Sequence, residues 1–367
     1  MNLKNLTEMQ KKLIKFAIIG IAIVLFIFII IWIVKLINGN KLSFDKIEDK
    51  MVSAAEAYYK QNPHLLPDDD VATKELDVDE LINTGHMKEL EKYTDDNVHC
   101  SGKIVVLKNG EYYTFVPRLN CGGDYTTKNL VKKITAKSNI VTTGDGLYEM
   151  NGEYVYRGEK LNNYVSFAGK TWRILKITKD NEIRLIQEDF FEQRDWDNRY
   201  NSDNKSSSGI NDFEVSRIKD DLEEIYNGDT FSATDKAKII PKQLCIGKRK
   251  DSDTNKDGST ECKTKTQEYL PLGLLQVNEY LVPSLDNGCT SLKTRQCTNY
   301  NYLYGYERSF WTLTADMDST SNVYYIDYLP QSIEARTYSV IRLVLNVSGE
   351  VNYKKGNGTL ESPYVID

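Results

Sequence analysis

The chain has 367 residues, a net charge of −6 and 27% charged side chains, which is enough length for two modest domains with their own cores. The acidic balance, without any basic–aromatic stripe, excludes a nucleic-acid-binding protein. All three histidines, His64, His86 and His99, precede residue 100, so the C-terminal two thirds carries no imidazole for a catalytic triad or a metal site.

Taken in chain order, residues 1–15 are basic and read as a cytoplasmic tail. Phe16 to Val34 (FAIIGIAIVLFIFIIIWIV) contains no polar side chain, and nineteen helical residues reach close to the ~30 Å hydrocarbon core of a bilayer. The sequence therefore predicts an N-terminal transmembrane helix over 16–34 with the lipid bilayer as partner. Lys4, Lys11, Lys12 and Lys15 on its N-terminal side place the N-terminus in the cytoplasm and the rest of the chain outside the cell, in a single-pass cell-membrane protein. The apolar run is longer than that of a cleaved signal peptide, and no small-x-small site follows it.

All six cysteines (Cys100, Cys121, Cys245, Cys262, Cys289 and Cys297) follow this segment, as an oxidising compartment permits. Fifteen pairings are open to six cysteines. Neighbour pairing, 100–121, 245–262 and 289–297, closes three short loops and is the favoured scheme. No C-x-x-C spacing supports zinc.

Beyond the apolar run, SFDKIEDKMVSAAEAYYKQNP spaces Phe44, Ile47, Met51, Ala54, Ala55 and Tyr58 along one helical face, and Asn62-Pro63 ends the helix. A short helix in DVDELINTGHMKEL leads to GKIVVLKNGEYYTFVPRL, where Asn109-Gly110 between two strand-like runs predicts a hairpin. The outcome is a helix on a small antiparallel sheet over residues 35–134. The motifs AAEAYYKQN and C-x-G-K-I-V-V…NGEYYTF…C resemble the pilin-like proteins of Firmicutes, over about Phe16 to Thr127. That resemblance implies a helix packed on a sheet closed by a cysteine pair. The segment EMQKKLIKF lacks, in register, the Gly and Glu of the type IV pilin peptidase site.

Residues 135–146 are polar, Gly-containing and aperiodic, and read as a linker. From 147 to 367 strand-like runs at both ends enclose helical periods in EVSRIKDDLEEIYN and QVNEYLVPSL, which predicts a larger α+β domain whose ends meet in one sheet. NNYVSFAGKTWRILKI, GLLQVNEYL, FWTLTAD and IRLVLNV…GNGTLESPYVI resemble a bacterial surface domain related to the C-type-lectin-like fold. The resemblance implies extracellular ligand binding. The whole chain is thus expected to be α+β with a transmembrane helix, a small pilin-like domain and a larger disulfide-stabilised domain.

Four stretches of the larger domain invite a chemical reading. AGKT at Ala168–Thr171 lacks the upstream glycine of a phosphate loop, since Tyr164 stands there. QEDFFEQRDWDNRY gathers Glu188, Asp189, Glu192, Asp195 and Asp197, a glycosidase-like carboxylate supply in what reads as a surface loop. NYNYLYGYERSFW puts Tyr300, Tyr302, Tyr304 and Tyr306 at a period of two, and these with Trp196 are the expected ligand contacts, provided the segment is a strand. In DSDTNKDGSTEC, Asp253, Asn255, Asp257 and Gly258 match the start of an EF-type calcium loop with Glu261 nearby, but Thr264 replaces the closing glutamate and across Cys245–Thr264 five lysine and arginine residues outnumber four acids. Calcium is the only cofactor these residues suggest.

The expected function is non-catalytic: a membrane-anchored extracellular binding or adhesion protein whose ligand is a glycan or a protein. The alternative is a structural subunit of a pilus-like or secretion assembly.

Overall fold

The computed structural model describes residues 8–38, 41–69, 71–94, 97–305 and 308–366, and among the residues of the first helix only the side chains of Met9, Lys12 and 15–30. The chain is α+β and forms two compact units. The first comprises Met1–Gln61, Asp77–Lys103 and Pro117–Thr126, the second Asn62–Leu76, Ile104–Val116 and Thr127–Asp367.

In the first unit, helix α1 (Glu8–Asn38) precedes helix α2 (Phe44–Gln61). Among the described residues no helix is long and apolar enough to cross a membrane, so the expected transmembrane helix over 16–34 is corrected. The side chains of Ile31–Val34, and residues 1–7 of the expected cytoplasmic tail with Lys4, lie outside the described residues, as does the side chain of Lys11.

The face of α2 is as its periodicity requires: Ile47, Met51, Ala54, Ala55, Tyr58 and Tyr59 are buried, and Phe44 stacks on Tyr125 at 4.9 Å. Strand β1 (Thr73–Asp77) runs into helix α3 (Val78–Asn83), whose first turn is capped by the Asp77 carboxylate accepting from Asp79 N–H. Strands β2 (Ser101–Asn109) and β3 (Tyr112–Asn120) complete a three-stranded sheet of order β1-β2-β3, of which Thr73–Leu76 and Ile104–Val116 belong to the second unit. The hairpin turn is Gly110-Glu111 rather than Asn109-Gly110. Gly110 takes the positive φ of +56°, and Asn109 ends the strand. Cys100 and Cys121 are bridged within this unit.

The second unit also holds two larger sheets. Helix α4 (Leu130–Ile134) precedes β4 (Gly146–Met150), β5 (Glu153–Arg157), β6 (Tyr164–Phe167), β7 (Lys170–Ile177), β8 (Ile183–Gln187) and β9 (Glu192–Asp195). Then come α5 (Arg217–Asn227), α6 (Ala233–Lys238), α7 (Val277–Leu281), and β10 (Phe310–Ala315), β11 (Asn322–Ile326), β12 (Pro330–Glu334), β13 (Tyr338–Ile341), β14 (Val344–Val347) and β15 (Tyr364–Val365). One sheet has the order β14-β8-β7-β5-β4, with β6 and β15 added beside β7; the other runs β12-β11-β10-β13-β9. Strands from both ends of the unit share the first sheet, because β15 pairs in parallel with β6.

Ala168-Gly169, the apparent phosphate-loop fragment, is the β6–β7 hairpin turn, with φ of +50° and +69°. The acid-rich segment is not a loop throughout: Glu192–Asp195 pairs with β13, a long-range partner that local composition does not reveal. The core collects Trp172, Trp196 and Trp311, all fully buried, with aliphatic side chains from both sheets and from α4, α5 and α7. Cys245–Cys262 and Cys289–Cys297 close the remaining short loops, and no cysteine is free.

Candidate functional site

The calcium-like loop is organised around a cation of its own. Arg249 is fully buried. Its guanidinium donates to Glu261 Oε1 at 2.8 Å, to the Asp253 carbonyl at 3.2 Å and to the Asn255 carbonyl. Two main-chain oxygens and a carboxylate converge on it as they would on a metal ion. Glu261, itself fully buried, also accepts from Asn278 N–H at 3.2 Å.

The remaining acids are committed to the loop's own turns. Asp253 accepts from Asn255 N–H and from the Thr260 hydroxyl. Burial pushes its pKa up, but those hydrogen bonds and Arg249 outweigh burial and hold it below the usual value. Asp257 accepts from Ser259 N–H at 2.9 Å, and this bond, reinforced by the Ser259 hydroxyl, lowers its pKa. Among the described residues no group of three His, Cys, Asp or Glu side chains is placed to hold a metal ion. Arg249 thus engages Asp253, Asn255 and Glu261 of the expected quartet, Asp257 is held by its own turn, and the Cys245–Cys262 bridge ties the end of the loop.

What this scaffold holds in place is one wall of a cleft of 590 Å³. Lys256 to Ser259 form that wall, with Gly258 at φ +80° against Asn278 of α7; a Cβ there would stand 2.9 Å from the Asn278 amide nitrogen. The facing wall comes from the sheet. Glu153, Val155 and Arg157 occupy alternate positions of β5 and so share one face, and Val155 lies opposite Lys176 of β7. Val282, Pro283 and Tyr302 supply apolar surface, and Lys179 stands at the rim.

Charge in the cleft is unevenly compensated. Lys176 pairs with Glu153 at 2.9 Å. Glu279 is gripped by Arg184 through two hydrogen bonds, of 2.5 and 3.0 Å, and its Oε2 also accepts from Gln276 N–H at the start of α7. Burial works to raise the Glu279 pKa, but Arg184 overrides it and holds the carboxylate below its ordinary value. Arg157, by contrast, donates only to the carbonyls of Val282 and Ser284, at 2.9 and 2.8 Å, and lies over the Tyr148 ring. Burial lowers its pKa. Lys256 is lowered likewise, by burial first and by repulsion from Arg157 second. Neither cation, nor Lys179, has a carboxylate partner among the described residues.

The expected contact residues are distributed differently. Trp196 is fully buried, its indole N–H donating to the Thr312 carbonyl at 3.2 Å and its ring packed on Phe213, so it fills core rather than meeting a ligand. The tyrosine segment is turn, not strand, so its period of two does not give one shared face. Tyr300 (58% exposed) and Tyr304 (42%) face outward, whereas Tyr302 (4%) is buried at the cleft with its ring against Arg173. Tyr306 lies outside the described residues. Tyr304 is 6.3 Å from the exposed Tyr328 ring, an aromatic pair that no sequence spacing announces.

The acids of the Glu188–Asp197 stretch are engaged by different partners: Glu188 lies 3.6 Å from Arg342, and Asp195 accepts from the Asn198 amide. Glu192 and Asp221 both bind Arg194, and fully buried Asp197 binds Arg199 and accepts the N–H groups of Arg199 and Arg217. Arg157, Lys176, Lys179 and Lys256 escaped the sequence reading. The only local signal was the alternation Glu153-Val155-Arg157, which places three side chains together without saying what they face.

A scan against protein-family models matches none of them, and searches of curated proteins and of solved structures likewise find no match for this chain.

Proposed function

We propose that this chain is a non-catalytic binding protein that works in an oxidising compartment and captures a ligand in the cleft of its second unit. The observation that carries this reading is the cleft itself. A 590 Å³ volume is of the size that holds a small ligand or a sugar unit, and each carboxylate on its walls is already committed, Glu153 and Glu279 to ion pairs and Asp257 to a turn. General acid–base work needs a carboxyl whose pKa is raised toward the working pH; the shifts of Glu279 and Asp257 are in the opposite direction. Three disulfides and no free cysteine accord with a site of action outside a reducing cytoplasm. The resemblance to bacterial surface domains supports a glycan or protein ligand at a cell surface.

The test is a binding screen of the full chain against glycans and surface peptides, repeated with Ser259→Trp, which places an indole at the cleft mouth. Binding that Ser259→Trp abolishes, with far-ultraviolet circular dichroism and Tm unchanged, is the expected result. A folded chain that binds nothing in the screen, that binds regardless of Ser259→Trp, or that turns over its ligand, refutes the reading.

A structural subunit of a pilus-like or secretion assembly is the second reading. It is favoured by α1, where every described side chain from Phe16 to Ile30 is exposed. Copies packed through this helix would bury that apolar surface. Sedimentation that shows a monomer at every concentration removes this reading.

A further inference from the structure

The geometry points to an anionic saccharide as the ligand of the cleft, its carboxylate or phosphate held between Arg157 and Lys256 and its ring set against Val282, Pro283 and Tyr302. This inference rests on the binding reading above and specifies the ligand's charge and class.

The argument is one of charge that the protein leaves open. Four cations line the cleft, and only Lys176 has an acid partner, Glu153. Asp257, the other acid near Lys256, is turned to the Ser259 N–H. Arg157 and Lys256 are thus two partly buried like charges in one cavity, close enough that each disfavours the other's charged form. Burial and this repulsion both lower the lysine, a state that an anion between them relieves. Arg157 is positioned for the purpose: two backbone carbonyls hold one edge of its guanidinium and the Tyr148 ring lies beneath it, so little side-chain freedom is lost on binding.

The rest of the cleft decides between classes of anion. A bare inorganic ion would leave most of 590 Å³ unfilled. Apolar surface from Val155, Val282 and Pro283 suits the C–H face of a sugar ring, and the polar rim at Asn151 and Ser259 offers partners for hydroxyl groups.

The experiment is calorimetric titration of the full chain with four probes: a glucuronate-containing disaccharide, a sugar phosphate, a neutral disaccharide and a tetraglutamate peptide. Each is run at low and at physiological salt. Expected is binding of the uronate or the phosphate at least about tenfold tighter than the neutral sugar, weakened by salt, since one charge-assisted contact is of this size. The comparison between those two arms identifies the anionic group. Lys256→Glu is expected to lose about tenfold or more of that affinity and Lys256→Arg to keep it, while the neutral sugar is indifferent to both. Equal affinity for neutral and charged sugars, blocked by Ser259→Trp but not by Lys256→Glu, overturns the anionic assignment and leaves the cleft a binding site. Preference for tetraglutamate overturns the saccharide. No binding of any probe, with the chain folded, overturns the inference, and the wider screen then judges the cleft separately.

Discussion

Replacing Arg249 by methionine tests whether a guanidinium does the work of a bound cation in the loop 251–262. The substitution preserves most of the apolar volume and removes the donors to Glu261 and to the carbonyls of Asp253 and Asn255. Glu261 is left fully buried with one remaining hydrogen bond, from Asn278 N–H, and its Oε2 already lacks a partner. Breaking a buried pair from one side costs ~3–5 kcal/mol. For a unit of this size, Tm falls by roughly 2–4 °C per kcal/mol, so Arg249→Met is expected to lower it by roughly 6–20 °C. Combining it with Glu261→Leu removes the stranded carboxylate and is expected to recover part of the loss, because apolar replacement of both members of a buried pair is often close to neutral. Differential scanning fluorimetry of the wild type and the two variants, with and without calcium, provides the readout. A change of less than about 1 kcal/mol in Arg249→Met, which is the typical effect of a surface substitution, or a marked rise of the wild-type Tm with calcium, refutes the reasoning.

Two further outcomes test the frame around the cleft. Asn109→Ala removes an amide that donates to the carbonyls of Lys236 and Ile239 at 2.9 and 2.8 Å and to the Tyr226 hydroxyl; the Lys236 carbonyl keeps the Ile239 N–H, and loss of the donor to the buried Ile239 carbonyl is expected to cost ~1–3 kcal/mol in urea unfolding, while an unchanged midpoint would show that water replaces the amide. Glu279→Gln addresses pH. Because Arg184 holds the folded-state pKa of Glu279 below its unfolded value, the pair's stabilisation is complete above the ordinary glutamate range and is lost as pH falls through the lowered folded-state value. The wild type is therefore expected to lose stability more steeply than Glu279→Gln on acidification below about pH 4.3, and parallel curves of Tm against pH would remove Glu279 from the acid response.

Features set by neighbours in sequence were legible before any coordinates. The buried face of α2 follows from the spacing of Ile47, Met51, Ala54, Ala55 and Tyr58, because a helix brings residues three and four apart onto one side. The three cysteine pairs join nearest neighbours, since short loops keep the thiols close. The helical period in EVSRIKDDLEEIYN forms α5, which buries Ile218, Leu222 and Ile225. The α+β class was equally readable, from strand signals around helical periods.

Tertiary structure decided everything that depends on what a side chain faces. Trp196 reads as a ligand contact in its polar, acid-rich segment, yet β9 pairs with β13 some 140 residues away and turns the indole into the core. The tyrosine period lost its meaning once the segment proved to be turn. The oxygen-rich loop looked like a metal site because sequence spacing shows which donors are near, not that Arg249 occupies the point where they converge. The cleft draws Arg157 from β5, Lys256 from that loop and Tyr302 from beyond α7, positions far apart along the chain. Local spacing determines helix faces, turns and short bridges because those forces act over a few residues. Burial and charge compensation are sums over whatever the fold brings together, and only the folded chain performs that sum.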